Sequence, residues 1–240
     1  MVLIGGATDD LRMWDSVTPM LAGHMALHAL DRRGRGASGD RPGSAVADEI
    51  ADVRAVVGAV GGGAWLVGHS SGALLALRAA APSDFAAGSI RGVIAYEPPP
   101  PPPRGKHVAD RVAALAAAGD RDGALAAFMT DCAGLPMPAV AQRRGTPEWQ
   151  AALRLAHTLA YDAAIAAEGV PDAESLTTPI CLLLGGASPA PMSGNVRQIA
   201  ARLPSATVRV LDGQRHDAIT SAPHLFAEHV LAAIETRRWA

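Results

Sequence analysis

The sequence predicts an α/β fold, a doubly wound and mostly parallel sheet that carries a helical cap insertion. Three observations point there. Short apolar runs alternate with helical periodicities along most of the 240 residues, the rhythm of a parallel sheet covered on both faces. A glycine-framed serine, Gly68-His69-Ser70-Ser71-Gly72, stands where an apolar run meets an Ala/Leu-rich helical stretch. The alternation breaks once, after six consecutive prolines at 98–103, where helical patterns follow one another with no strand between them.

Strands are predicted at 2–4, 25–30, 64–67, 92–96, 180–184 and 207–211. Between Ser44 and Val60 the apolar residues Val46, Ile50, Val53, Val57 and Val60 recur at spacings of four and three, which makes one helix face apolar. Ser44 is the expected N-cap, and Asp48 and Glu49 complement the helix dipole. Another helix opens at Ser71, and after the prolines helices are expected near 107–118, 121–132 and 147–167. The closing helix is expected to start at Ser221, with Pro223 in its first turn and Phe226, Val230 and Ile234 buried. This organisation gives a core of 1–97 and 176–240 and a cap of 98–175. The cap belongs over the C-terminal ends of the strands, where open α/β sheets bind ligands, and the proline run is its rigid hinge rather than a ligand for a partner's groove.

A chain of this length buries a substantial core as one domain. Its formal net charge of -2 and scattered basic residues exclude a nucleic-acid partner. No apolar run approaches the roughly 18 residues that span a bilayer, and residues 1–4 lead into Gly and Asp instead of a signal-type core, so no membrane partner and a cytoplasmic location are expected. Cys132 and Cys181 have neither metal spacing nor a disulfide framework; no metal and no cofactor are expected, and the partner is a small-molecule substrate. Gly34-Arg35-Gly36-Ala37-Ser38-Gly39 is formally G-x-G-x-x-G, but a dinucleotide fold begins its helix at once, whereas Asp40 to Gly43 intervene here. Arg32, Arg33 and Arg35 are expected to tie this loop to Asp31 and to nearby carbonyls.

Ser70 is the candidate nucleophile. A serine on a sharp strand-to-helix turn takes up strained backbone angles, and small residues two positions to either side keep the turn from clashing with its neighbours. A serine alcohol is a weak nucleophile and needs a base, itself oriented by a third group. Of the eight histidines, His216 follows the last predicted strand and so faces the surface that carries Ser70. His157, on a cap helix beside Tyr161 and Asp162, is its rival, while His69 is expected to point away from its neighbour on the sharp turn. Met13, Trp14, Met129, His157, Tyr161 and Met192 are candidate pocket residues, with plain core packing as the alternative.

Taken in order, these motifs resemble the α/β-hydrolase superfamily, in particular its esterase and haloperoxidase-like branch with a small helical cap. Leu3-Ile4-Gly5-Gly6, the loop from Asp31 to Asp40, the serine elbow, Tyr96-Glu97-Pro98-Pro99, Leu184-Gly185-Gly186 and the loop from Gly213 to His216 follow in the family's sequence. The resemblance implies the chain order nucleophile, acid, histidine. The acid's usual place reads Gly185-Gly186-Ala187-Ser188-Pro189 and holds no carboxylate; some relatives carry the acid one strand earlier, and there stands Glu97. It also implies an oxyanion hole made by the backbone N–H groups of Ser71 and Ala7, in a loop where family members often have His-Gly and this chain has Gly5-Gly6. Two strands usually precede the oxyanion strand in the family, and here that strand begins at residue 1 or 2; either the sheet is shorter or the gene start omits them, and an exposed edge would favour a homodimer. The implied activity is that of a serine hydrolase acting on a carboxylic ester, thioester or lactone. A lyase, cyclase or isomerase on the same fold, and a non-catalytic binding module, are the alternatives.

Overall fold

The computed structural model describes residues 1–81, 88–203 and 206–236. One six-stranded sheet runs in the order β2-β1-β3-β4-β5-β6, with every adjacent pair parallel. The strands are β1 (Val2–Ile4), β2 (His28–Leu30), β3 (Ala64–His69), β4 (Ile90–Tyr96), β5 (Ile180–Gly185) and β6 (Ala206–Leu211). The α/β fold expected from the apolar runs is the fold observed.

Helices cover both faces. The first three are α1 (Thr18–Leu21), α2 (Val46–Ala59) and α3 (Ser71–Ala80). Between β4 and β5 lie α4 (His107–Ala117), α5 (Arg121–Asp131), α6 (Met137–Arg143), α7 (Pro147–Arg154) and α8 (Leu159–Glu168). Then come α9 (Ala190–Arg202), α10 (Ala218–Ser221) and α11 (Pro223–Glu235). On one face Val53, Val57, Leu75, Val196 and Ile199 pack against the sheet; on the other Trp14, Leu21, Phe226 and Val230 do so. A further apolar cluster joins the helices between β4 and β5 to Leu74 of α3 and Val46 of α2. Strands enclosed on both faces read as continuous apolar runs, which is why β1, β3, β4 and β5 were visible as such.

The register gathers the loops that matter at one end. Ile4 lies beside Gly68, His69 beside Tyr96 and Gly185 beside Leu211. The ladder continues past the strands through Ser70 N–H to Tyr96 O (2.9 Å) and Glu97 N–H to Leu183 O (3.1 Å). The loops after β1, β3, β4, β5 and β6 therefore open on the same edge of the sheet, the C-terminal edge of its strands.

Several local expectations need correction. Ser44 does not cap α2: its hydroxyl donates to Arg41 O at 2.7 Å, Ala45 takes the extended N-cap conformation, and Asp48 reaches back to the Ala45 amide at 2.8 Å. The single helix expected over 147–167 is two, because Thr158 is buried and bonds its hydroxyl to Leu155 O at 2.8 Å, a local bond that competes with helix continuation. Helix α6 was not foreseen. Ser221 ends α10, and α11 begins at Pro223, whose missing N–H costs nothing in a first turn.

Candidate active site

Ser70 follows β3 at φ 56° and ψ -123°, a left-handed backbone that a residue with a Cβ adopts only at a cost. The two flanking glycines make that turn fit. A Cβ on Gly68 would lie 2.6 Å from Ala73 Cα, and one on Gly72 would lie 2.5 Å from Gly5 O and closer still to Ile4 O. These neighbours are backbone atoms of the elbow helix and of β1, which have nowhere to move. The glycines thus let α3 start directly behind the serine and against the loop after β1.

Backbone strain is concentrated around this turn. Thr8, Ser70 and Glu97 are the non-glycine residues with positive φ among those described, at 61°, 56° and 46°. One lies in the loop after β1, one on the elbow and one at the end of β4. Conformations of this kind cost about 1–3 kcal/mol each and cluster where a site needs them.

Glu97 is fully buried and its carboxylate is fully engaged. Oε1 accepts from the Gly185 amide (2.8 Å) and from Ser188 Oγ (2.5 Å), and Oε2 lies 2.7 Å from His216 Nδ1. The segment that lacks a carboxylate of its own, Gly185 to Ser188, thereby holds one sent over from the neighbouring strand. Burial alone would raise the pKa of Glu97, but the hydrogen bonds from His216, Ser188 and Gly185 outweigh it and hold the group below the usual carboxylate range. An ionised carboxylate only accepts, so His216 donates from Nδ1 and keeps Nε2 as its free acceptor.

Two further side chains fix the histidine loop. His69 Nε2 donates to His216 O (3.0 Å), and Tyr96 Oη donates to Arg215 O. The rings of His69 and His216 lie 4.4 Å apart, so His69 packs against the histidine that meets Glu97. The His216 side chain keeps 41% of its surface, while its Nδ1 edge is packed against Glu97. Desolvation by the surrounding protein and the neighbouring His69 push His216 below the ordinary histidine value, against the pull of Glu97. No hydrogen bond joins Ser70 Oγ to His216 among the described residues; such bonds are commonly long without substrate and tighten in the complex.

The amides of Ser71, first residue of α3, and Ala7, in the loop after β1, donate to no described residue. Gly6 packs tightly on the elbow: a Cβ there would fall 2.9 Å from Ser70 Cβ. The arginines do part of what their spacing suggested. Arg32 reaches Gly5 O (3.3 Å), and Arg35 reaches Gly6 O and Asp9 O. Neither uses Asp31, whose carboxylate takes the amides of Leu11 and Ala37 instead. Their acid partners are Glu49 and, unforeseen, Asp162 of α8, while Arg33 pairs with Asp52.

The other candidate residues have the following surroundings. Trp14 is fully buried and packs on Phe226, which leaves it no pocket role. Met13 Sδ sits behind Gly5, and Met129 packs among the helices between β4 and β5. His157 Nε2 bonds Gly34 O (3.1 Å) and Tyr161 Oη donates to Asp40 (2.8 Å), so both face the loop after β2, and His157 is no rival to His216. Met192 lies in the first turns of α9, a helix that reaches the segment after Glu97 through Asn195 Nδ2 and Pro98 O (2.8 Å). A cavity of about 320 Å³ opens beside Asp31, Arg33, Asp40 and Asp52, and none of Ser70, Glu97 and His216 lines it. Among the described residues no cluster of His, Cys, Asp and Glu could hold a metal ion, and no helix is long and apolar enough to cross a membrane.

A family model described as "Alpha/beta hydrolase family" matches residues 1–229. The chain belongs to the alpha/beta hydrolase family. An alpha/beta hydrolase from Sphaerobacter thermophilus is 36% identical with a TM-score of 0.83, over 97% of this chain and 91% of that one. A hydrolase from Pseudomonas aeruginosa is similar at 23% identity and TM-score 0.77, over 97% and 88% of the two chains. A thermophilic esterase from Thermogutta terrifontis shares the fold at 20% identity and TM-score 0.76, over 98% and 89%. No curated protein of known function matches in sequence. Within this alpha/beta hydrolase the G-x-Ser-x-G turn occupies the end of the third strand, and the buried carboxylate that meets the histidine comes from the fourth.

Proposed function

We propose that this alpha/beta hydrolase is a serine hydrolase that cleaves a carboxylic ester, thioester or lactone through an acyl-enzyme. The observation that carries the reading is the buried Glu97 carboxylate on His216 Nδ1, beside a serine held at positive φ. Ser70 Oγ attacks the carbonyl carbon as its proton passes to His216 Nε2, and the carbonyl π pair moves onto oxygen. The amides of Ser71 and Ala7 receive that oxyanion; a donor of this kind is worth about 3–4 kcal/mol of transition-state stabilisation. Collapse of the intermediate breaks the bond to the leaving group, which takes the proton from His216. Water, deprotonated by the same ring, then releases the acid and restores Ser70.

The test is labelling by a fluorophosphonate. The folded protein is expected to take up one label on Ser70, shown by peptide mass spectrometry, and to turn over short p-nitrophenyl esters; Ser70→Ala abolishes both. A wild type that remains unlabelled while folded removes the activated serine. Labelling without ester turnover favours a lyase, cyclase or isomerase at the same site.

The depressed pKa of His216 sets the pH dependence. His216 must be neutral to accept a proton, so kcat/KM is level at neutral pH and falls as pH drops through the pKa of the folded ring. That limb is expected below the ordinary histidine value of about 6.5. A midpoint above 7 in the pH-rate profile, by contrast, contradicts the assigned environment.

A further inference from the structure

The geometry points to Arg35 and Asp162 as positioning residues of the oxyanion hole: a buried ionic strap from α8 aims the Ala7 amide and anchors Ser71. The inference rests on the serine-hydrolase reading and adds to it a source of order for the loop after β1. Asp162 is fully buried on α8. Its Oδ1 accepts from Ser71 Oγ (2.6 Å) and Arg32 Nη1 (2.7 Å), and its Oδ2 accepts from Arg35 Nη2 (2.6 Å). Arg35 is 1% exposed and carries the strap onward, donating from Nη1 to Gly6 O and to Asp9 O (3.3 Å).

The bond to Gly6 O orients Ala7 through the peptide plane. The Gly6 carbonyl and the Ala7 N–H belong to one planar trans unit and point in opposite directions. A guanidinium that holds the carbonyl on one side therefore presents the N–H on the other, and polarises it as a donor. Glycines at 5 and 6 make this necessary, because they supply no side chain to steady the turn. Ser71 is held at the same time by its hydroxyl, so the strap reaches both donors of the hole.

Stability alone is a poor account of the arrangement. Arg35 Nε has no hydrogen-bond partner among the described residues although it is buried, and buried ion pairs seldom add net stability over an apolar packing. The charges are balanced, with Arg32 and Arg35 against Glu49 and Asp162, and Glu49 takes both Arg32 Nε (2.8 Å) and Nη2 (2.9 Å). Removing Arg35 and the Asp162 charge together leaves Arg32 and Glu49 paired.

The experiment compares the full chain with the charge-balanced R35M/D162N variant, using fluorophosphonate labelling and p-nitrophenyl acetate turnover. The labelling rate constant and kcat are expected to fall at least about tenfold, a fraction of the hundred- to thousand-fold that loss of a whole donor costs. KM and the final labelled fraction are expected to stay within about twofold of wild type; a merely structural role would lower the labelled fraction and spare the rate constant. A rate constant within about threefold of wild type overturns the strap. A wild type that takes no label overturns the serine-hydrolase reading instead, and the inference with it. Should the variant not fold, the structure of the phosphonylated wild type decides: Ala7 N within about 3.1 Å of the phosphonyl oxygen, with Arg35 on Gly6 O, supports the strap. A Gly6–Ala7 peptide turned the other way overturns it.

Discussion

Glu97→Gln is expected to lower kcat for ester turnover by about 100- to 10,000-fold while the protein stays folded; the corresponding acid-to-amide change costs a serine protease about 10,000-fold. The size of the effect follows from which way the new amide must face. At the Oε1 position two donors converge, the Gly185 amide and Ser188 Oγ, so the amide oxygen of Gln has to lie there. The NH2 then faces His216 Nδ1 and can only donate to it. That choice moves the ring proton to Nε2, the nitrogen that must be bare to receive the Ser70 proton. The same substitution removes the charge that stabilises the imidazolium, so the acid limb of the pH-rate profile shifts further down. Circular dichroism and thermal melting check the fold, and stopped-flow measurement of acylation reads the rate. A rate constant within threefold of wild type would remove Glu97 from the site.

The meeting of Glu97 with His216 was legible because strand order is legible. Once the apolar runs are numbered, the residue after the fourth strand and the vacancy after the fifth can be read together, and the buried bonds from Glu97 to Gly185 and Ser188 are the physical form of that pairing. The elbow was legible for a local reason, the need for glycine at 68 and 72. The place of the His69 ring is not legible in the sequence, because a carbonyl from the far end of the chain, His216 O, holds it. Asp162 had one visible signal, a lone carboxylate in the apolar stretch 159–167, opposite an excess of arginine at 32 and 35. Its partners are 130 and 127 residues away in sequence, and no periodicity or motif spacing connects such distances. Helix boundaries failed where side chains compete with the backbone for hydrogen bonds, as Ser44 and Thr158 do.

Asp162→Asn is expected to be the most destabilising single change in this group, by about 3–5 kcal/mol, the usual cost of removing one partner from a buried ion pair. For a chain of this size that corresponds to a drop of roughly 6–20 °C in melting temperature. Asn keeps an acceptor for Ser71 or Arg32, but Arg32 and Arg35 are then balanced only by Glu49 in a region with almost no water contact. The second substitution, Arg35→Met, restores neutrality and is expected to recover most of the loss, a coupling that a double-mutant cycle measures directly. Acid provides an independent check. Burial would raise the pKa of Asp162, but Arg35 and Arg32 outweigh it and bring the group from 3.8 down to about 2. A carboxylate with a depressed folded pKa stabilises fully above its unfolded value, so this contribution is intact above about pH 4 and disappears as the pH falls toward 2. The wild type should therefore lose stability steeply across that window, and Asp162→Asn should lose less because it starts without the contribution. If the two chains show parallel acid unfolding curves, Asp162 is not the group whose ionisation holds α8 to the elbow.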